Sequence, residues 1–373
     1  MKELEIKEVN TQRNFGIDLL RLISMFMVVV LHVLGNGGVL RNTQPLSIKS
    51  EVLWFLELSC YCAVNVFAII SGVVGLRAKH KFSSLINLCL QLIFYSVIIT
   101  SIYIAISVYN GIDISLKNIF FALIPSIRSL WYFSAYFCLF FFMPILNLII
   151  ENTPRKALRT GAIFIFIVFC CFGQVVSNVA NLKNGYSVLW LAILYLFGAY
   201  MTKYDLFNKL SLSKGVLGFL ICILLTSLSR IIFGNTGIRI DLLISYTSPT
   251  ILLSAIFLVA SFKKINFSNK FKKIISLLSP MAFGVYLIHC HPIIYNNLLT
   301  QFSWIALKSV YFAPFIVVGI ALIIYFSCLF IDWLRLLLFK VCKMKEFSIW
   351  IEKLIGKTIS RILKFLHIEI ENE

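Results

Sequence analysis

Two costly residues stand in the first apolar segment of the chain. FGIDLLRLISMFMVVVLHVLG, residues 15–35, is nearly pure hydrocarbon apart from Asp18, Arg21 and His32. Arg21 and His32 are eleven residues apart. That is close to three helical turns, so both side chains leave one helix face, about 16 Å apart along the axis. Ionisable groups at membrane depth are expensive and mark functional positions. A guanidinium facing a cavity clamps phosphate or carboxylate. An imidazole is the usual general base near neutral pH. The pair therefore describes a polar track through an apolar interior. The simpler alternative is an Asp18–Arg21 ion pair across one turn, with His32 as a hydrogen-bonded packing residue.

Other residues join them by depth. Glu57 lies four to five residues inside the second apolar run. It and His32 both sit roughly 6 Å below the same surface, so Glu57 could orient the imidazole as a carboxylate does in a nucleophilic triad. The late segment SPMAFGVYLIHCHPII, residues 279–294, brings His289 and His291 to similar depth. They face opposite sides of a regular helix, so one at most meets His32, and His289 is the candidate for acceptor binding. His-x-His without a well-spaced third ligand does not predict a metal site. Arg230, late in the seventh run, is a further candidate for substrate binding, with interfacial snorkelling as the alternative. Trp131 opens an aromatic belt with Tyr132 and Tyr136 and is also a candidate substrate contact. The chain has no Gly-x-Ser-x-Gly elbow, no phosphate-cradling glycine loop and no His-Glu-x-x-His.

Composition says what must position these groups. Of 373 residues 60% are hydrophobic and only 13% charged, with mean hydropathy +0.92. The expected fold is all-α, a polytopic membrane protein of ten transmembrane helices with cytoplasmic N- and C-termini. The ten runs lie at about 15–36, 53–76, 84–109, 131–150, 160–178, 186–202, 215–234, 243–261, 278–298 and 310–332. The net charge of +18 could suggest nucleic acid, but its distribution argues otherwise. With the N-terminus inside, cytoplasmic segments hold 25 Lys and Arg; the outer ones hold 7: Arg41, Lys49, Lys117, Arg128, Lys183, Arg239 and Lys308. That bias is a positive-inside signal. The first run is too long and too charged for a cleaved signal peptide. Nine of the ten cysteines fall within apolar runs, which argues against a disulfide framework.

Three parts follow: a tail, 1–14; a membrane domain, 15–332; and a basic tail, 333–373. In the last part Ile351, Leu354, Ile355, Ile359, Ile362, Leu363 and Leu366 recur at helical spacing, with Lys353, Lys357, Arg361 and Lys364 opposite. This predicts an amphipathic helix on the cytoplasmic leaflet, bound to membrane lipid, with docking of a partner protein as the alternative.

Four stretches together carry a family likeness. Arg21-x10-His32, VFAIISGVVGLR (66–77), SLWYFSAYF (129–137) and SPMAFGVYLIHCHPII (279–294) resemble, in order, motifs of the membrane acyltransferase family 3. The resemblance covers about 15–332. It implies transfer of an acyl group, usually acetyl from acetyl-CoA, to a hydroxyl of a cell-surface polysaccharide or lipid-linked sugar, in the plasma membrane of a bacterium. Acetyl-CoA would be a co-substrate, with no bound cofactor. The family's essential first-helix pair maps onto Arg21 and His32. Its Arg-x-x-Arg cluster is replaced by Arg77-Ala78-Lys79-His80-Lys81, which keeps charge but loses the second Arg. On this reading Arg77, Lys79 and Lys81 receive the CoA phosphates, Arg21 positions the donor and His32 removes the acceptor proton. The rival readings are a transporter or flippase for a glycan precursor and a non-catalytic scaffold.

Overall fold

The computed structural model describes residues 13–127, 129–176, 181–236 and 241–365. Residues 1–12 of the N-terminal tail, Arg128, Arg239 and Leu366 lie outside the described residues, as do the side chains of Ile362, Leu363 and Lys364. Among the described residues every regular element is a helix. In chain order they are α1 (Phe15–Leu31), α2 (Ile48–Cys60), α3 (Ala63–Gly75), α4 (Phe82–Tyr109), α5 (Leu116–Leu123), α6 (Trp131–Asn152), α7 (Arg155–Ile165) and α8 (Gly173–Val175). There follow α9 (Val188–Lys203), α10 (Leu212–Asn235), α11 (Pro249–Phe262), α12 (Asn269–Leu278), α13 (Ala282–His289), α14 (Pro292–Ile294), α15 (Ala313–Val341) and α16 (Met344–Phe365). Short π and 3-10 turns link several of them.

Among the described residues eight helical stretches are long and apolar enough to cross a membrane, and each overlaps an expected run. The expected runs at 186–202 and 243–261 are shorter apolar helices, Val188–Lys203 and Pro249–Phe262. Their starts are fixed locally. The Ser187 hydroxyl accepts from the Trp190 N–H, and Pro249 occupies the first turn of α11, where no backbone donor is needed.

Two runs depart from simple helices. The second is broken between α2 and α3 at Tyr61 and Cys62. The ninth was expected at 278–298, whereas the crossing helix runs Asn269–His289. It stops because Pro292 disfavours the helical region for the residue before it. His291 accordingly adopts an extended backbone, φ −60° and ψ 133°, before α14 restarts.

α1 sits at the centre and packs against α2, α3, α11, α12, α13 and α15. The Asn14 side chain accepts from the Ile17 N–H and donates to the Lys263 carbonyl, which pins the start of α1 to the end of α11. α3 and α9 meet backbone to backbone. A methyl group on Gly198 would lie 2.1 Å from the Ile69 carbonyl oxygen, and one on Gly72 would lie 2.0 Å from that of Tyr195. Such small-residue contacts hold membrane helices together where burial against lipid gives no driving force. Long apolar side chains on α4, α6, α10 and α15, such as Ile102, Phe142, Leu224 and Phe330, point outward and stay exposed.

α16 packs on α4 and α15. The Glu352 carboxylate accepts from Ser83 and from the free N–H groups at the start of α4, which hold it below the usual carboxylate range. Trp350, Leu354, Ile355 and Ile359 remain exposed on its apolar side. All ten cysteines are free.

Candidate active site

The face of α1 that carries Arg21 and His32 lines a cavity of about 770 Å³. Arg21, Met25, Val28 and His32 follow one another along its wall, and Asn36 continues it. The cavity therefore runs beside α1 for about 22 Å at the helical rise.

At one end the Asp18 carboxylate is shared. It accepts from Arg21 Nη1 at 2.8 Å and from Arg13 Nε at 2.5 Å. The expected Asp18–Arg21 pair is present. It engages one of the five guanidinium donors, so Arg21 keeps others for a ligand in the cavity. Ser279, held by Arg13 at 2.9 Å, lies at this same end.

At the other end His32 opens a π-helical turn, His32–Asn36, a local widening common at functional sites. His32 Nδ1 lies 3.1 Å from His289 Nε2. His289 Nδ1 lies 2.6 Å from the Val285 carbonyl oxygen, one turn back on α13. A carbonyl only accepts, so His289 Nδ1 carries the hydrogen. In the neutral ring Nε2 then accepts from His32 Nδ1–H, and the lone pair of His32 is left on Nε2. Tyr295 stands edge-on to the His32 ring at 5.7 Å between centroids. His289 is fully buried behind His32 and does not line the cavity.

Cys290 Sγ lies 3.6 Å from His32 Nδ1 and 3.3 Å from His289 Nε2. The three ligand atoms fall within 4.8 Å of one another, a mixed imidazole and thiol set of the kind that borderline and soft ions take. His-x-His spacing alone did not reveal it, because Cys290 supplies the third atom.

The remaining sequence candidates divide by position. Trp131 and Glu57 line the cavity. Glu57 does not orient His32, whose Nδ1 is taken by His289; its Oε2 has no hydrogen-bond partner, and its Oε1 lies beside Gly35. His291 turns away from the site to Ala122 O at 3.0 Å, as Pro292 dictates. Arg230 is not at the cavity. It is buried between α10 and α2, 3.1 Å from Glu51 Oε2 and stacked 4.1 Å over Trp54, because a buried cation needs a counter-charge. Arg77, Lys79 and Lys81 are exposed beyond the end of α3 and do not line the cavity. His80 lies between them, its ring 3.9 Å from that of Phe140, and burial pushes its pKa below the ordinary imidazole value.

Several lining residues carried no sequence signal. Tyr61, Tyr186, Tyr246 and Tyr295 come from separate segments and meet only in three dimensions. Asn65 holds part of this wall: its amide donates to the Tyr246 carbonyl at 2.7 Å and accepts from Trp190 Nε1 at 3.1 Å.

A family model described as an acyltransferase domain matches residues 14–333. The chain belongs to the acyltransferase 3 family. It is thus an acyltransferase and a multi-pass membrane protein. No curated protein and no solved structure matches it. The family's match begins beside Asn14, the cap of α1, and ends within α15, so it takes in both ends of the cavity. Membership gives no support to the transporter reading.

Proposed function

We propose that this acyltransferase moves acetyl from cytosolic acetyl-CoA to a hydroxyl of a surface polysaccharide or lipid-linked sugar, with Arg21 positioning the donor and His32 as general base. The observation that supports the reading is the cavity beside α1, with the Arg21 guanidinium at one end and the His32 imidazole at the other. On this reading the ten apolar helices all cross the plasma membrane, both termini are cytoplasmic, and residues 15–332 form the catalytic domain. The positive-inside bias puts Arg21 towards the cytosol and His32 towards the outer leaflet.

The CoA nucleotide would rest against the exposed Arg77, Lys79 and Lys81, outside the membrane. The pantetheine arm would enter the cavity past Arg21. His32 Nε2 takes the proton from the acceptor hydroxyl as its oxygen forms the bond to the thioester carbonyl carbon. The tetrahedral adduct then collapses, the C–S bond breaks, and the CoA thiolate leaves with the proton from the imidazolium. His289 never touches substrate. It is a positioning residue that keeps His32 in the tautomer able to act.

The test is CoA release from labelled acetyl-CoA by the purified protein in nanodiscs, with ester formation on glycan as a second readout. His32→Ala should lose about 10²–10⁴-fold in rate, the usual share of general base catalysis. Arg21→Ala should chiefly raise the KM for acetyl-CoA, by about 10-fold or more for a lost charge-assisted contact. Wild-type turnover in both variants would overturn the reading. Movement of glycan without CoA release would instead favour a flippase.

A further inference from the structure

Glu57 is 7% exposed and lines the cavity, yet its Oε2 has no partner. Leaving a buried polar atom without a hydrogen-bond partner costs about 1–3 kcal/mol, so a chain that keeps one there has a use for it. Its surroundings are aromatic. Trp131 and Tyr186 have ring centroids 4.6 Å apart, Tyr186 and Tyr246 5.0 Å, and Tyr61 and Tyr246 5.1 Å, while Trp131 and Tyr246 stack at 6.2 Å and 23°. Asn65 fixes the Tyr246 backbone, so the cluster is built before any ligand arrives.

A hydrogen-bond acceptor without a donor, beside a bank of aromatic rings, calls for a ligand with two kinds of surface. It must offer donors at its rim and an apolar face. A pyranose ring has both, with hydroxyls around its edge and C–H bonds across its faces. A quaternary ammonium would need rings spread into a box around it. Here these four rings lie against one another, with centroids 4.6 to 6.2 Å apart.

The carboxylate also lies beside the helical turn that His32 opens. A methyl group on Gly35 would lie 3.9 Å from Glu57 Oε1. Gly35 follows His32 by three residues, roughly 5 Å along the axis.

We infer that Glu57 and the Tyr61–Trp131–Tyr186–Tyr246 cluster form the acceptor subsite, which takes a pyranose and selects the hydroxyl to be acylated. Glu57 grips one hydroxyl while His32 Nε2 meets another on the same ring. The inference rests on the acyl-transfer reading above, but its test does not use acyl transfer.

The test is labelling of Glu57 by dicyclohexylcarbodiimide, a reagent for carboxyls in apolar surroundings, in the full protein in nanodiscs and read by peptide mass spectrometry. Methyl glycosides of glucose, galactose, rhamnose and N-acetylglucosamine are the probes, with choline as the cationic comparison. At least one glycoside should cut Glu57 labelling fivefold or more. Labelling of Glu51, ion-paired to Arg230 outside this cavity, should not change. A Trp131→Ala protein that inserts normally should lose the protection. Protection by choline alone, or by none of the glycosides, overturns the inference. Failure of the acyl-transfer reading would appear separately, as absence of CoA release by the wild-type protein.

Discussion

A histidine removes a proton only if the nitrogen facing the acceptor holds its lone pair, and here that condition is met one residue away from the cavity. The Val285 carbonyl fixes the His289 tautomer, and His289 fixes that of His32. We expect His289→Ala to lower kcat on the order of 10²-fold, by analogy with the loss when a base is left in the wrong tautomer. His289→Gln, whose amide oxygen can accept from His32 Nδ1, should restore much of that rate. A merely structural role would not distinguish the two variants. Acetyl-CoA turnover measures both, and equal rates would remove His289 from the relay. Arg21 and His32 were legible in the sequence because their cost in hydrocarbon shows without any partner. The placements of Glu57 and Arg230 were not. Depth along a helix is readable from spacing, but azimuth depends on neighbours: Glu51 and Trp54 capture Arg230, and His289 rather than Glu57 meets His32 Nδ1.

Helix α3 carries Gly72, within the stretch 66–77 that resembles a family motif, and this glycine has a packing role. Gly72 and Gly198 bring α3 and α9 into backbone contact, and α3 in turn packs against α1. Gly198→Val would drive two methyl groups into the Ile69 carbonyl. It should destabilise the protein by about 1–3 kcal/mol, the usual cost of overpacking, and lower its thermal midpoint in detergent. Gly161, with open space where its Cβ would lie, is the control, and Gly161→Val should leave the midpoint near the wild-type value. Most apolar runs were readable to within a few residues because hydrocarbon length dictates them, whereas the ninth crosses about nine residues earlier than expected. Breaks inside them were harder to read. Pro292 signalled the turn at His291, but no residue type announced the break at Tyr61 and Cys62, which arises where α2 and α3 pack on different partners.

Across the whole molecule the distribution of charge is the strongest topological signal. The proposed orientation puts the turn between α15 and α16 in the cytoplasm, and Cys342 in that turn is exposed. In a protein whose other cysteines are replaced, a membrane-impermeant maleimide should label Cys342 in inverted vesicles and not in intact cells. Labelling in intact cells would reverse the topology. α9 and α11 bear on a different property. With 16 and 14 residues they span about 24 and 21 Å, against roughly 30 Å of hydrocarbon. Both lie largely inside the protein, so lipid cannot thin to match them. In the ten-span topology proposed above, aqueous vestibules would reach past their ends, and the transmembrane voltage would drop across the remaining constriction. Each elementary charge carried through that drop would exchange about 2.3 kcal/mol per 100 mV with the membrane. An uncharged acyl-pantetheine arm exchanges none while its phosphates stay outside, so the enzyme should run at the same rate in energised and de-energised cells.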